Sequence, residues 1–64
     1  MTKRREIMQT IAAHARANDL HMRLVEGGSH TRVWLGDRYT TVPRHREIPD
    51  RLAQQILRQI GIEE

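Results

Sequence analysis

The chain has 64 residues with 11 basic and 8 acidic side chains, which gives a formal net charge of +3. It contains no cysteine, which excludes disulfides and thiolate zinc sites and fits a reducing cytoplasm, where we expect the protein to act. No stretch approaches the roughly 20 consecutive apolar residues of a membrane span, so no membrane association is expected. We predict one domain over residues 1–64 with a small core, because a chain of about 60 residues buries only about 60 % of its unfolded surface.

The first predicted element is a helix over residues 3–17. Its start is arginine-rich and has no long uncharged run, so we interpret it as structure and not as a signal peptide. Thr2 is the predicted N-cap, and Asn18–Asp19 is the predicted end. Apolar residues recur four apart along this segment, which predicts a stripe that faces the core; the stripe consists of Ile7, Ile11 and Ala15.

The middle of the chain alternates between apolar and polar residues, as half-buried strands do. Gly27 and Gly28 are predicted to form the first turn, because glycine accepts the positive φ that hairpin turns need. A second tight turn is predicted at Gly36–Asp37, and Pro43 is predicted to end the last strand because it lacks a backbone donor. The predicted strands cover residues 20–25, 29–35 and 38–42.

A second helix is predicted over residues 49–60, after a loop over residues 43–50. Pro49 suits the first turn of a helix, where a missing N–H costs nothing, and Gly61 is the predicted C-cap. The element order is therefore α-β-β-β-α. This order predicts an α+β fold, a two-layer sandwich with both helices on one face of an antiparallel sheet.

Strand alternation predicts which residues of the sheet stay uncovered. Residues expected to face the helices are Leu20, Met22, Leu24, Val33, Leu35 and Val42. Residues expected on the uncovered face are His21, Arg23, His30, Arg32, Trp34 and Tyr39. This face would hold the single tryptophan and the single tyrosine of the chain. The two rings could stack on RNA bases, or they could form a cross-strand pair that only stabilises the sheet; both interpretations stay open.

Ten of the 11 basic residues are arginine, whose planar guanidinium suits bidentate contacts with phosphate. Two of the 8 acidic residues, Glu63 and Glu64, are the last two of the sequence, so the remainder is more basic than the net charge indicates. A polyanionic partner is the favoured interpretation over a basic surface that only keeps the protein soluble. The candidate phosphate contacts are Arg32, Arg44, Arg46 and Arg23.

The four histidines do not form a recognisable metal-binding pattern, because they are spaced 7, 9 and 15 residues apart. We therefore predict no metal site and no cofactor. His30 differs from the others because it directly follows two glycines and Ser29. The Gly28 backbone and the Ser29 hydroxyl could hold a phosphate oxygen there, and an imidazole can exchange protons near neutral pH. RNA carries its own nucleophile, the 2′-OH, so one imidazole and nearby arginines could suffice for cleavage. The alternative is a polar hairpin histidine with no chemical role.

Four motifs of the chain, at these spacings and in this order, resemble the HicA family of prokaryotic toxins. They are Gly28-Ser29-His30, Val42-Pro43-Arg44-His45, Glu47-Ile48 and Ile60-Gly61-Ile62. The resemblance implies a double-stranded-RNA-binding-domain-like fold and an endoribonuclease that cleaves mRNA, an mRNA interferase. It implies His30 as the catalytic residue, no required metal, and a HicB-type antitoxin that masks the site. It also implies that His45 lies near the functional region.

The chain departs from the family pattern in three places, one of which is a short linker after His45. Asn18-Asp19-Leu20-His21 stands where relatives usually have a glycine and an aromatic residue, and Glu26-Gly27 replaces lysines that are common before the second strand. These departures concern the details of RNA contact more than the class of activity.

Three functions follow in order of preference. The first is a metal-independent endoribonuclease toxin, with His30 as general base or acid. The second is a non-catalytic RNA-binding module that uses the same face of the sheet. The third is a domain that only binds another protein. A homodimer stays open in each case, because a core this small often gains stability from a partner.

Overall fold

A computed structural model describes residues 1–62, so Glu63 and Glu64 lie outside the described residues. The predicted α-β-β-β-α order is confirmed, and the fold is α+β. The sequence did not predict two further short strands, one before the first helix and one between the main sheet and the second helix. The elements are β1 (Thr2–Lys3), α1 (Arg4–Ala17), β2 (Met22–Glu26), β3 (His30–Leu35), β4 (Arg38–Pro43), β5 (Glu47–Ile48) and α2 (Asp50–Gln59).

The main sheet is antiparallel, in the order β2-β3-β4. Alternate residues of β3 and β4 are buried, and the two helices contribute their apolar stripes to the same core. The predicted stripe of α1 is confirmed, since each of its three members is at most 3 % exposed. The opposite side of the sheet, which we call the open face, carries the other residues of the strands. The core consists of Ile7, Ile11, Ala15, Val33, Leu35, Val42, Ile48, Ala53, Ile56 and Ile60.

The predicted burial of Leu24 in β2 and of Leu20 just before it is wrong. Leu20 is 39 % exposed and Leu24 is 46 % exposed, although both were expected to face the helices. The reason is the strand order: β2 is an edge strand, whereas α2 packs against β4 at the other edge. Leu20 also precedes β2, which begins only at Met22. Strand alternation predicts which side of a sheet a residue faces. It does not predict whether a helix covers that side at the edge strand.

The predicted N-cap of α1 is also wrong. The helix begins at Arg4 with Lys3 as N-cap, while Thr2 belongs to β1, which pairs with β5. The Thr2 Oγ1 hydroxyl donates to Asp50 Oδ1 at 2.8 Å, and the N-terminal ammonium lies 3.2 Å from the same oxygen. This hydrogen bond and the ammonium charge lower the pKa of Asp50 below its ordinary value. The contact joins the starts of the two helices.

The remaining boundaries agree with the sequence, with small shifts. Asp19, two residues after the end of α1, has a φ of +53°, and Gly36 has a φ of +59° in the turn between β3 and β4. Gly61, with a φ of +90°, follows α2 as predicted. Pro49 lies one residue before α2 and acts as its N-cap, and its carbonyl accepts from the Ala53 N–H at 2.9 Å. Within residues 1–62, neither helix is long and apolar enough to cross a membrane.

Candidate active site

The loop between β2 and β3 is tight, but not for the reason that the sequence indicated. Neither Gly27 nor Gly28 has a positive φ, so the expectation of left-handed glycines in this turn is wrong. Instead, the Gly27 N–H donates to the His30 carbonyl at 2.8 Å. A Cβ at Gly27 would lie 3.0 Å from that carbonyl oxygen, whereas a Cβ at Gly28 would meet nothing within 4 Å. Gly27 is therefore needed for the close approach of the backbone to His30.

We expect the two glycines to respond differently to a methyl group. Gly27→Ala should push the His30 backbone away, because a carbonyl oxygen fixed in a strand cannot yield as a flexible side chain can. Gly28→Ala keeps the backbone N–H and has open space around it, so it is the matched control. NMR chemical shifts of the His30 backbone amide in the two variants test this expectation. Shifts that move equally little in both variants would contradict the role assigned to Gly27.

His30 is the first residue of β3, pairs with Pro43 of β4 and is exposed. Its Nδ1 lies 2.9 Å from the Ser29 hydroxyl oxygen, within hydrogen-bond distance. When the hydroxyl donates, the proton of a neutral ring is on Nε2; when Nδ1–H donates to the hydroxyl, a neutral ring has a free lone pair on Nε2. Ser29 can therefore hold the ring in either tautomer, and Nε2 is the nitrogen left for a substrate.

A shallow cavity of about 270 Å³ adjoins His30 on the open face. Val25, Arg32 and Thr41 form one cross-strand row through β2, β3 and β4, and all three border this cavity. Glu26 and Gly27 complete the lining. Two of the residues predicted from the sequence, His30 and Arg32, thus lie at the same concave surface. At one cavity, an imidazole can transfer a proton to or from a bound molecule, and a guanidinium can neutralise an anionic group of that molecule.

The two aromatic residues predicted on the open face form a cross-strand pair. Trp34 faces Tyr39 in the register, and their ring centroids are 4.8 Å apart at an interplanar angle of 34°. The Arg23 guanidinium lies 5.5 Å from the centre of the Trp34 ring, and that of Arg32 lies 5.1 Å from the centre of the Tyr39 ring. Such cation–π contacts contribute about 0.5–1 kcal/mol at exposed sites. A nucleobase that stacks on Trp34 or Tyr39 has to displace the guanidinium that already contacts that ring.

Behind His30, on the helix side of the sheet, lies a polar network that the sequence did not predict. Thr31 is buried, and its hydroxyl donates to Glu26 Oε1 at 2.7 Å and accepts from Arg4 Nη2 at 2.7 Å. Arg4 Nε also donates to the Pro43 carbonyl at 3.1 Å. These bonds join the start of α1 to the residue after His30 and to the strand partner of His30. The one available signal was Thr31 itself, since a threonine at a core-facing strand position needs a hydrogen-bond partner.

Arg44, a predicted phosphate contact, belongs to this network. Its backbone N–H donates to the Ser29 carbonyl at 3.2 Å, and its guanidinium forms a salt bridge with the Glu26 carboxylate. This arginine therefore lies close to the loop of His30 but has an acidic partner already. A phosphate would have to replace Glu26 at that guanidinium.

The other predicted residues are more dispersed. Arg46 lines a separate cleft near the start of α1, and His45 is exposed between β4 and β5. The His14 carbonyl accepts a 2.9 Å hydrogen bond from the Asn18 side chain, and His21 is exposed ahead of β2. Within residues 1–62, no group of three or more His, Asp or Glu side chains is placed to hold a metal ion.

Comparison with protein families gives one match. The model of the family described as the HicA toxin of bacterial toxin–antitoxin systems matches residues 18–62, which include the His30 loop, the whole main sheet and α2. Searches of curated proteins and of solved structures found no significant match. The family match covers well over half of the chain and agrees with the motifs around His30. The chain therefore belongs to the HicA toxin family of bacterial toxin–antitoxin systems.

Proposed function

We propose that this toxin is a metal-independent endoribonuclease that cleaves mRNA and so arrests translation. The observation that supports it most is the placement of His30. Its Nδ1 is engaged by Ser29, and the residue borders the same open-face cavity as Arg32. The cytoplasm, where mRNA is translated, is the proposed site of action.

In the proposed reaction, the RNA 2′-oxygen attacks the adjacent phosphorus and the bond from phosphorus to the 5′-oxygen breaks. His30 Nε2 takes the proton from the 2′-OH, or gives a proton to the leaving 5′-oxygen; water serves the other transfer. The products are a 2′,3′-cyclic phosphate and a 5′-hydroxyl. General acid–base help of this kind contributes about 10²- to 10⁴-fold. Arg32 stabilises the charge that grows on the phosphorane oxygens.

The remaining proposed contacts come from the loop of His30, the open face and the loop after β4. The Gly28 N–H donates beside the scissile phosphate, and the Ser29 hydroxyl does so when it accepts from His30 Nδ1–H. Arg44 joins them once it leaves Glu26. Neighbouring nucleotides lie along the open face and around the end of the sheet. They contact Arg23, Trp34, Tyr39, His45 and Arg46.

A toxin of such a pair implies an antitoxin partner, and we propose a HicB-type protein that covers His30. The exposed arginines around this site favour an acidic partner surface, which would exclude RNA by competing for the same cations. A homodimer of the toxin remains a further proposal, tested by its mass in solution.

Cleavage of a long RNA in excess EDTA tests the proposed activity. We expect discrete fragments, because no step above uses a metal ion. RNA that is bound but left intact would favour a non-catalytic RNA-binding module. Fragments that vanish on adding EDTA would contradict the metal-independent reaction.

A further inference from the structure

We propose a second RNA-binding site, in a cleft beside the start of α1. We call it the basic cleft; it is lined by Lys3, Arg4, Arg5, Met8 and Arg46. It would hold a phosphodiester of the same RNA strand that is cut at His30, so this inference rests on the proposed function and names a further part of the substrate site.

The charge of the basic cleft is the first argument. Its volume is about 470 Å³, and four of its five lining residues are basic while none is acidic. The salt bridges within residues 1–62 join the N-terminus to Asp50 and Arg44 to Glu26, so they do not involve Lys3, Arg5 or Arg46. Unpaired cations around a concave surface concentrate the potential that attracts a phosphate backbone.

The basic cleft is also held in shape by the fold. Arg4 donates through its side chain to Thr31 and to the Pro43 carbonyl. Its backbone N–H donates to the Arg46 carbonyl at 3.0 Å, and Lys3 pairs with Glu47 in the small sheet. The backbone on both sides of the cleft is thus fixed before a ligand arrives, which lowers the entropic cost of binding.

The position of the basic cleft links it to the reaction. Arg4 bonds to the residue that follows His30 and to the residue that pairs with His30 across β3 and β4. His30 and the cleft therefore lie at the same end of the sheet, and a flexible RNA strand that bends around this end reaches both. Met8 adds an apolar surface, which suits a ribose or a base better than a bare phosphate ion.

Binding measurements with three cleft residues neutralised test the proposal. The variant is Lys3→Gln/Arg5→Gln/Arg46→Gln, and the matched control, Arg16→Gln/Arg51→Gln/Arg58→Gln, loses the same charge at exposed positions outside the cleft. Affinity for a 2′-O-methyl RNA, which resists 2′-OH cleavage, is measured by fluorescence anisotropy over a range of salt concentrations. Each lost phosphate contact should reduce the slope of log K against log salt by about 0.7, so we expect a drop of about 2 for the cleft variant only. Circular dichroism checks that both variants stay folded.

Cleavage kinetics with short and long RNA test this proposal separately from the proposed function. With a trinucleotide that spans only the cut site, the double variant Lys3→Gln/Arg5→Gln, which leaves Arg46 in place, should keep the wild-type kcat and KM, whereas with long RNA its KM should rise. If the protein cleaves no RNA at all, the proposed function fails while the salt slopes still report on the basic cleft.

Two results would overturn the inference. One is an equal salt slope for the cleft variant and its control. The inference would then fail even if the cleft binds another acidic ligand, such as an antitoxin. The other is saturable binding of inorganic phosphate alone that the cleft variant loses while its RNA slope stays unchanged, which would assign the cleft to a free anion.

Discussion

Replacing His30 with alanine should lower the rate of RNA cleavage by about 10²- to 10⁴-fold, the usual contribution of general acid–base catalysis. RNA affinity should change little, because the arginines around the site supply the charge that holds the backbone. The measurement is a single-turnover cleavage assay beside a binding assay on 2′-O-methyl RNA. His21→Ala is a matched control, since His21 is also exposed but lies ahead of β2, away from the site.

Ser29→Ala refines this test, because it keeps the imidazole and removes the partner of its Nδ1. A smaller loss than that of His30→Ala is expected, since the ring can still transfer a proton but is held less firmly. Cleavage by His30→Ala within a few-fold of wild type would remove His30 from the chemistry. An equal loss in the His21→Ala control would point to damage of the fold instead.

Ile11→Ala should greatly lower the free energy of unfolding. Ile11 is fully buried between the helices and the sheet, and truncating a buried isoleucine to alanine costs about 2–5 kcal/mol. A domain of this size has a total free energy of unfolding of only about 3–10 kcal/mol, so the variant should be close to unfolding. Urea denaturation monitored by circular dichroism gives the free energy of unfolding of the wild type and of the variant.

The matched control for Ile11 is Leu24→Ala. Leu24 looks like a core residue in the sequence, but it is nearly half exposed on the edge strand β2. Its truncation should change the free energy of unfolding by no more than about 0.5 kcal/mol, as at most surface positions. A loss comparable to that of Ile11→Ala would mean that β2 is covered, by a second copy of the chain or by a helix.

The sequence predicted the parts of this fold that depend on local periodicity. The four-residue spacing of Ile7, Ile11 and Ala15 identified the buried side of α1, and alternation in β3 separated Val33 and Leu35 from Arg32 and Trp34. Alternation also identified the open face, because its period does not depend on which element packs against the sheet.

Contacts between distant residues were beyond the reach of such patterns. The Arg4–Thr31 bond spans 27 positions, and the pairing of β1 with β5 joins two-residue strands that carry no periodic signal. The salt bridge of Arg44 with Glu26 likewise depends on how two strand ends meet. Gly27 shows a related limit: a glycine pair predicts a turn, but only the structure distinguishes a positive φ from a close backbone approach.

In the proposed reaction, the RNA supplies its own nucleophile and His30 moves the proton. The most direct measurement compares an RNA oligonucleotide that the protein cuts with the same oligonucleotide carrying one 2′-deoxyribose immediately 5′ of the scissile phosphate. We predict that cleavage stops at the modified position, and that the unmodified RNA yields 2′,3′-cyclic phosphate and 5′-hydroxyl ends. Continued cutting at the deoxyribose would require water as the nucleophile and would contradict this mechanism.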